Sequence, residues 1–242
     1  RTAALHHVPV LGINLGSLGF MSELEVHELD RLRDLKNWDF TVESRMMLDV
    51  TIFREDKAVF SNIALNDAVI SKGAVARVVR LDIFTEEGRL TKVTGDGVVI
   101  ATPTGSTGYS MAAGGPIVEP TARNLLITPI CAHSTRNSCY VLSPDHVITV
   151  ETSDANRKFV YLSADGGKAF SLKNGDRIRV RQSKFDMGLV RLSKKSFCEI
   201  LDLACGDRAE NTIVLHASII PYFCYNLPMQ QVEYIDRASG NK

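Results

Sequence analysis

Asn66 and Asp67 stand side by side in LNDAVI, an amide and a carboxylate set between apolar runs. Together they offer a donor and several acceptors at one point of a buried strand, which suits the hydroxyls of a ribose. Solvation is a poor reason for a charge in that setting. Two further aspartates sit beside glycines: Asp96 between Gly95 and Gly97, and Asp165 in SADGG after an apolar run. Either could be a ligand contact or a turn former whose side chain bonds locally. The richest stretch is GDGVVIATPTGSTGYS, residues 95–110, where four glycines accompany Thr102, Thr104, Ser106 and Thr107 beside Tyr109. Glycine removes bulk and permits positive φ, while short hydroxyls meet a polar ligand close to the backbone. A long exposed hairpin loop is the plainer alternative, but such a loop seldom needs so many hydroxyls. His133, in PICAHS, could serve as a general base; with no partner to name, a hydrogen-bonded structural histidine is the favoured reading.

Other chemistries are excluded by what the chain lacks. No GK[ST] closes a phosphate loop, and DGGKAF at residues 165–170 has neither the upstream glycine nor the hydroxyl of one. GINLGSLGF, residues 12–20, is not the GxGxxG fingerprint and reads as a tight strand-to-helix turn nearly as well. The cysteines Cys131, Cys139, Cys198, Cys205 and Cys224 form no CxxC or His-spaced pair, so no zinc site or disulfide framework is expected, and no metal-ligating residue is assigned. Reduced thiols fit a cytoplasmic protein. Lys plus Arg equals Asp plus Glu, 28 each, so no global field points to nucleic acid or an anionic membrane. No apolar run approaches the roughly 20 residues of a membrane span.

The elements that must position these groups read as α+β, mostly β. Val8–Asn14 reads as a short buried strand and Ser22–Leu35 as an acidic amphipathic helix, a β-turn-α unit. Period-two patterns then take over: Leu48, Val50 and Ile52 share one face, as do Val79, Leu81 and Ile83 against Arg80 and Asp82. A hairpin turn is expected at Glu86–Leu90, with strands at Gly97–Ala101, His146–Thr152, Lys158–Ser163, Ala169–Leu172 and Arg177–Gln182. Many short strands suggest a β-sandwich-like domain. A helix is expected from about Ser110, and a short one at Ser193–Leu203 with Phe197, Ile200 and Leu201 inward. The expected organisation is therefore 1–39, the end of an N-terminal α/β Rossmann-like domain; 40–192, a β-rich ligand-binding domain; and 193–242, a helix and an atypical extension ending in a frayed tail. The start on Arg1 suggests a trimmed or fragmentary chain.

GINLGSLGF, LNDAVI, TGDGVVIATPTGSTGYSMAAGGPIVEP, LLITPICAHS and SADG together resemble, in order and spacing, the NAD kinases over about Val8 to Leu201. The resemblance implies phosphorylation of the adenosine ribose 2′-hydroxyl of NAD by ATP or polyphosphate, with Mg²⁺ or another divalent metal. It implies a cytoplasmic homodimer or homotetramer with sites near subunit contacts, and a cleft between an α/β and a β-rich domain. It assigns Asn66 and Asp67 to the ribose, and Thr104, Thr107, Gly108 and Tyr109 to the adenine and its neighbouring ribose. Phe20 would pack near the adenine, Asp96 would contact the nicotinamide end, and Asp165 would complete the pocket, from the same or a neighbouring subunit. The family's GGDGT motif, whose Asp is taken to activate the hydroxyl, is expected upstream of Arg1, so the 242 residues alone are expected to bind NAD with little turnover. A ribose hydroxyl is a poor nucleophile without a positioned base. A non-catalytic nucleotide-binding module is the alternative, followed by a relative of the diacylglycerol and sphingosine kinases, which share a similar fold.

Overall fold

The computed structural model describes residues 1–15, 20–73, 78–133, 138–152, 160–193 and 195–205. The turn glycines Gly16 and Gly19, Lys158 and Phe159 of one expected strand, and the tail beyond 205 lie outside the described residues. A short helix, α1 (Thr2–Leu5), precedes a two-residue parallel pair, β1 (Ile13–Asn14) with β2 (Leu24–Glu25). The Glu28 carboxylate accepts the Glu25 amide at 3.0 Å and starts a 3-10 turn, Val26–Arg31, which runs into α2 (Leu32–Lys36).

The buried strand expected at Val8–Asn14 is therefore mostly absent. Val8, Val10 and Ile13 are exposed, and ladder pairing is confined to β1 and to one parallel bridge from Val10 to Leu189. Apolar residues specify a strand only where another element covers them, and no described element covers these. What the described residues hold of the expected α/β layer is this parallel pair and the helical turns after it.

From Thr41 the chain is antiparallel β: β3 (Thr41–Arg54), β4 (Lys57–Ala64), β5 (Asp67–Lys72), β6 (Val79–Thr85), β7 (Gly88–Gly95) and β8 (Gly97–Ala101). A 3-10 turn at Thr104–Thr107 and the single-turn α3 (Tyr109–Ala112) interrupt the strands. They resume as β9 (Leu125–Ile130), β10 (Tyr140–Leu142), β11 (Ile148–Thr152), β12 (Val160–Ala164), β13 (Phe170–Ser171) and β14 (Arg177–Arg191). The chain then enters α4 (Phe197–Cys205). There Ser196 and Glu199 cap each other reciprocally, and Phe197, Ile200 and Leu201 are half-buried as expected.

Two six-stranded sheets result, ordered β10-β9-β8-β5-β12-β13 and β4-β3-β14-β11-β6-β7. Leu48, Val50 and Ile52 of β3 with Leu81 and Ile83 of β6 share one core with Ile70, Val98, Ile100, Leu125 and Ile127 of the first sheet. Strand β8 is buried on both faces: Val98 and Ile100 enter that core, while Val99 and Ala101 join Leu126 and Ile130 on the outside. Tyr109, Ala113 and Val118 cover that outer face, so the glycine and hydroxyl loop is folded onto the sheet rather than projecting as an exposed hairpin. Two of the passages from the second sheet to the first run wholly through described residues, between β4 and β5 at Leu65–Asn66 and between β7 and β8 at Asp96. At such crossings the ladder stops, and backbone amides need other partners.

Candidate functional site

Both crossings carry candidate residues. Asp67 opens β5 opposite Ala101, the last residue of β8, so the Asn66–Asp67 pair meets the start of the Thr102–Tyr109 loop. Two bonds fasten the loop to the Leu65–Asn66 segment, and a third ties the loop to itself. The Thr102 amide donates to the Asn66 carbonyl at 2.9 Å, the Thr102 hydroxyl donates to the Leu65 carbonyl at 2.6 Å, and the same hydroxyl accepts the Gly105 amide at 3.1 Å. Gly105 must be glycine, because a Cβ there would stand 2.0 Å from the Asn66 carbonyl oxygen. The hydroxyl-rich loop and the amide–carboxylate pair therefore converge.

The hydroxyls divide by role. Thr102, Ser106 and Ser110 build the loop: Ser106 both donates to the Val118 carbonyl and accepts its amide, and Ser110 bonds the Thr128 hydroxyl at 2.8 Å. The Thr107 hydroxyl reaches the Thr104 carbonyl at 3.4 Å, and Gly108 is half-buried. Thr104 differs: its hydroxyl oxygen is buried and has no hydrogen-bond partner among the described residues. A buried hydroxyl without a partner costs free energy that a ligand can recover.

Asp67 is a buried carboxylate in the same neighbourhood. The residue is 7% exposed, and among the described residues nothing hydrogen-bonds its carboxylate. Burial, and after it the negative charge of Asp165, push its proton affinity up to about 7. Burial also raises the Tyr109 hydroxyl above its ordinary range, with smaller contributions from the charges of Cys131, Asp96 and Asp67, which puts Tyr109 within electrostatic reach of both acids.

Asp96 lies five residues before Ala101 on the β7–β8 path, about 16 Å along the strand from Asp67. Its carboxylate pairs with Lys72 Nζ at 2.6 Å, a partner for which the residues around Asp96 in sequence hold no cue. Asp165 lies in the left-handed region, φ 48°, as a turn former would, yet its side chain bonds a segment far away in sequence. It accepts the amides of Leu65 at 2.8 Å, Asn66 at 2.7 Å and Asp67 at 3.2 Å. Phe20 is half-buried next to Met21, which packs with Ile63 and Leu65 just before Asn66. His133 is exposed, and its backbone amide donates to the Thr94 carbonyl. Among the described residues no group of three His, Cys, Asp or Glu side chains is placed to hold a metal ion, and no helix is long and apolar enough to cross a membrane. The described cysteines Cys131, Cys139 and Cys198 are free thiols.

Residues 65–192 match the family of the ATP-NAD kinase C-terminal domain. An NAD kinase of Geobacter metallireducens is 45% identical over 195 residues, 80% of this chain and 69% of that protein. One of Natranaerobius thermophilus is 39% identical over 203 residues, 84% of this chain and 71% of that protein. The crystal structure of yeast NADH kinase complexed with NADH superposes with a TM-score of 0.77 at 30% identity, covering 84% of this chain and 60% of that one. An NAD kinase from Archaeoglobus fulgidus in complex with ATP shares the fold, with a TM-score of 0.61 at 23% identity. The chain belongs to the NAD kinase family, a family of enzymes.

Proposed function

We propose that this protein transfers a phosphoryl group from ATP or polyphosphate to the 2′-hydroxyl of the adenosine ribose of NAD, giving NADP. The observation that carries this reading is the Asp67 carboxylate, buried and without a hydrogen-bond donor among the described residues, where the hydroxyl loop meets Asn66. A ribose hydroxyl supplies the donor that the fold withholds, and Asn66 and Thr104 supply further polar contacts to the nucleoside. Thr107, Gly108 and Tyr109 form the wall for the adenine, with Phe20 near it. The separation of Asp67 from Asp96 suits a dinucleotide, whose nicotinamide end would approach Asp96. The family and the NADH-bound yeast relative support the same substrate class.

Mg²⁺ commonly binds through one or two carboxylates together with substrate phosphates. The described residues offer no ligand set of their own for it, so a cation would arrive on the donor's phosphates, and no step here is routed through one. The proposed form is a cytoplasmic homodimer or homotetramer, on the strength of the family resemblance.

Calorimetric titration of NAD into the chain tests the assignment. Asp67→Ala is expected to weaken NAD binding by about 10- to 100-fold, the worth of a hydrogen bond to a charged group, with the circular dichroism spectrum unchanged. Unaltered affinity would remove the ribose assignment.

A further inference from the structure

The Asp165 carboxylate has no acceptor position left for a ligand. Its Oδ1 accepts the amides of Asn66 and Asp67, while its Oδ2 accepts the Leu65 amide and, at 3.3 Å, Arg1 Nε. A carboxylate offers about four such positions, and these four contacts fill them. The three amides belong to consecutive residues at the place where the chain leaves β4 in one sheet and enters β5 in the other. Successive N–H groups aimed at one anion form a nest, and here the anion is a side chain from about a hundred residues away. The arrangement is pinned at its other end as well. The Asp165 amide donates to the Asp67 carbonyl at 3.0 Å, and β12 runs directly into it from the ladder position Ala164 opposite Ala68.

We propose that Asp165 is a positioning residue: it caps the sheet-crossing segment Leu65–Asp67 and so aims the Asn66 and Asp67 side chains, without touching the substrate itself. The inference rests on the NAD kinase reading for the identity of that substrate.

A second consequence follows from charge. Asp165 is the ionised group that acts on Asp67 directly; Tyr109 faces Asp67 and Asp96 from the loop, and Arg1 faces the outer side of Asp165. Removing the Asp165 charge therefore lets Asp67 ionise at lower pH.

The test uses the whole chain, its Asp165→Asn and Asp165→Glu variants, and two readouts on the ligand-free protein. Amide hydrogen exchange is expected to accelerate at least tenfold for one or more of the Leu65–Asp67 N–H groups in Asp165→Asn, which keeps a single acceptor oxygen and sets an NH2 donor where the other oxygen stood. The Asp67 carboxyl resonance, identified by its loss in Asp67→Asn, is expected to titrate near neutral pH in the parent chain and at distinctly lower pH in Asp165→Asn. Asp165→Glu keeps the charge but not the reach, so it should lose protection while the titration midpoint stays. NAD affinity should fall about 10-fold or more in both variants. Unchanged amide protection in Asp165→Asn, or an unmoved Asp67 midpoint, would overturn the positioning role. Absence of NAD binding by the parent chain would overturn the functional reading instead, leaving the two ligand-free readouts to judge Asp165.

Discussion

Glu23, Asp67 and Asp176 are the buried carboxylates among the described residues, and the last two are treated in opposite ways. Asp176, 1% exposed before β14, receives both Arg54 nitrogens at 2.7 and 2.8 Å and the Lys173 amide at 2.7 Å. Burial alone would raise its proton affinity, but the Arg54 guanidinium, the Lys173 amide and the nearby charges outweigh it and hold the carboxyl below its usual range. Asp67 is buried almost as deeply and has no such partner among the described residues, so burial and then the charge of Asp165 push its carboxyl up. Arg54 closes β3 six residues from Leu48, which pairs with Ala64 near the Asn66 crossing, so the two sites lie about 20 Å apart along the strand. Burial alone therefore does not separate these two acids; the partners that meet Asp176 and not Asp67 do.

The contrast fixes the expected pH dependence. A carboxyl with a lowered folded pKa, such as Asp176, stabilises the fold above its unfolded pKa and loses that contribution as pH falls through the folded value, in acid. A carboxyl with a raised folded pKa does the reverse. Asp67 favours the fold fully below about pH 4, and that advantage disappears as pH rises toward about 7. The largest expected effect is at the satisfied site: Arg54→Met strands Asp176 and should lower the urea midpoint more than any other change considered, while leaving NAD affinity as it was. A loss of NAD binding alongside it would erase the distinction between the two acids.

The strand faces were legible in the sequence because alternation is a local signal. Leu48, Val50 and Ile52, and Val79, Leu81 and Ile83, are buried as their spacing demands, and the turn before Gly88 falls where EEGRL placed it. Strand β14 runs on to Arg191, well past the expected Gln182, because a bulge between Gln182 and Asp186 breaks the alternation that reading relied on. The expected helix after the loop is a single turn, since Gly114 and Gly115 follow at once; a Cβ at Gly115 would collide with the Ser110 and Thr128 hydroxyls. The candidate acids were visible as charges in apolar surroundings. Their partners were not: Lys72 for Asp96, and Leu65–Asp67 for Asp165, are set by which strands pair, a non-local fact. Nor could composition tell Thr104, whose hydroxyl is unmet, from Ser106, whose hydroxyl is met twice.

The unsatisfied site should respond to neutralisation in the direction opposite to Asp176. Asp67→Asn removes a charge that the ligand-free fold holds at a cost on the order of 4 kcal/mol at pH 8, while its buried amide forfeits about 2 kcal/mol. The variant should therefore be more stable by about 2 kcal/mol at pH 8 and less stable by about 2 kcal/mol near pH 4, where Asp67 is neutral and only the amide penalty remains, with weaker NAD binding. Denaturant midpoints measured at the two pH values check the sign, and lower stability at pH 8 would contradict the unmet-carboxylate reading.

The finest discrimination comes from protons counted during binding. With its affinity near 7, the Asp67 carboxyl is about half protonated at neutral pH before ligand arrives. Ribose hydroxyls donating to it favour the ionised form, so NAD binding at pH 7 should expel up to about half a proton. Titrations in phosphate and in Tris, which differ in ionisation enthalpy, would report that release as a buffer-dependent heat. Asp67→Asn should abolish the difference, whereas Arg54→Met should preserve it, because Asp176 lies about 20 Å from Asp67 along the strand and its protonation does not respond to NAD. Proton uptake instead of release would mean that the ligand meets Asp67 in its neutral form, as a hydrogen-bond donor to a substrate acceptor, and the ribose would then have to lie elsewhere.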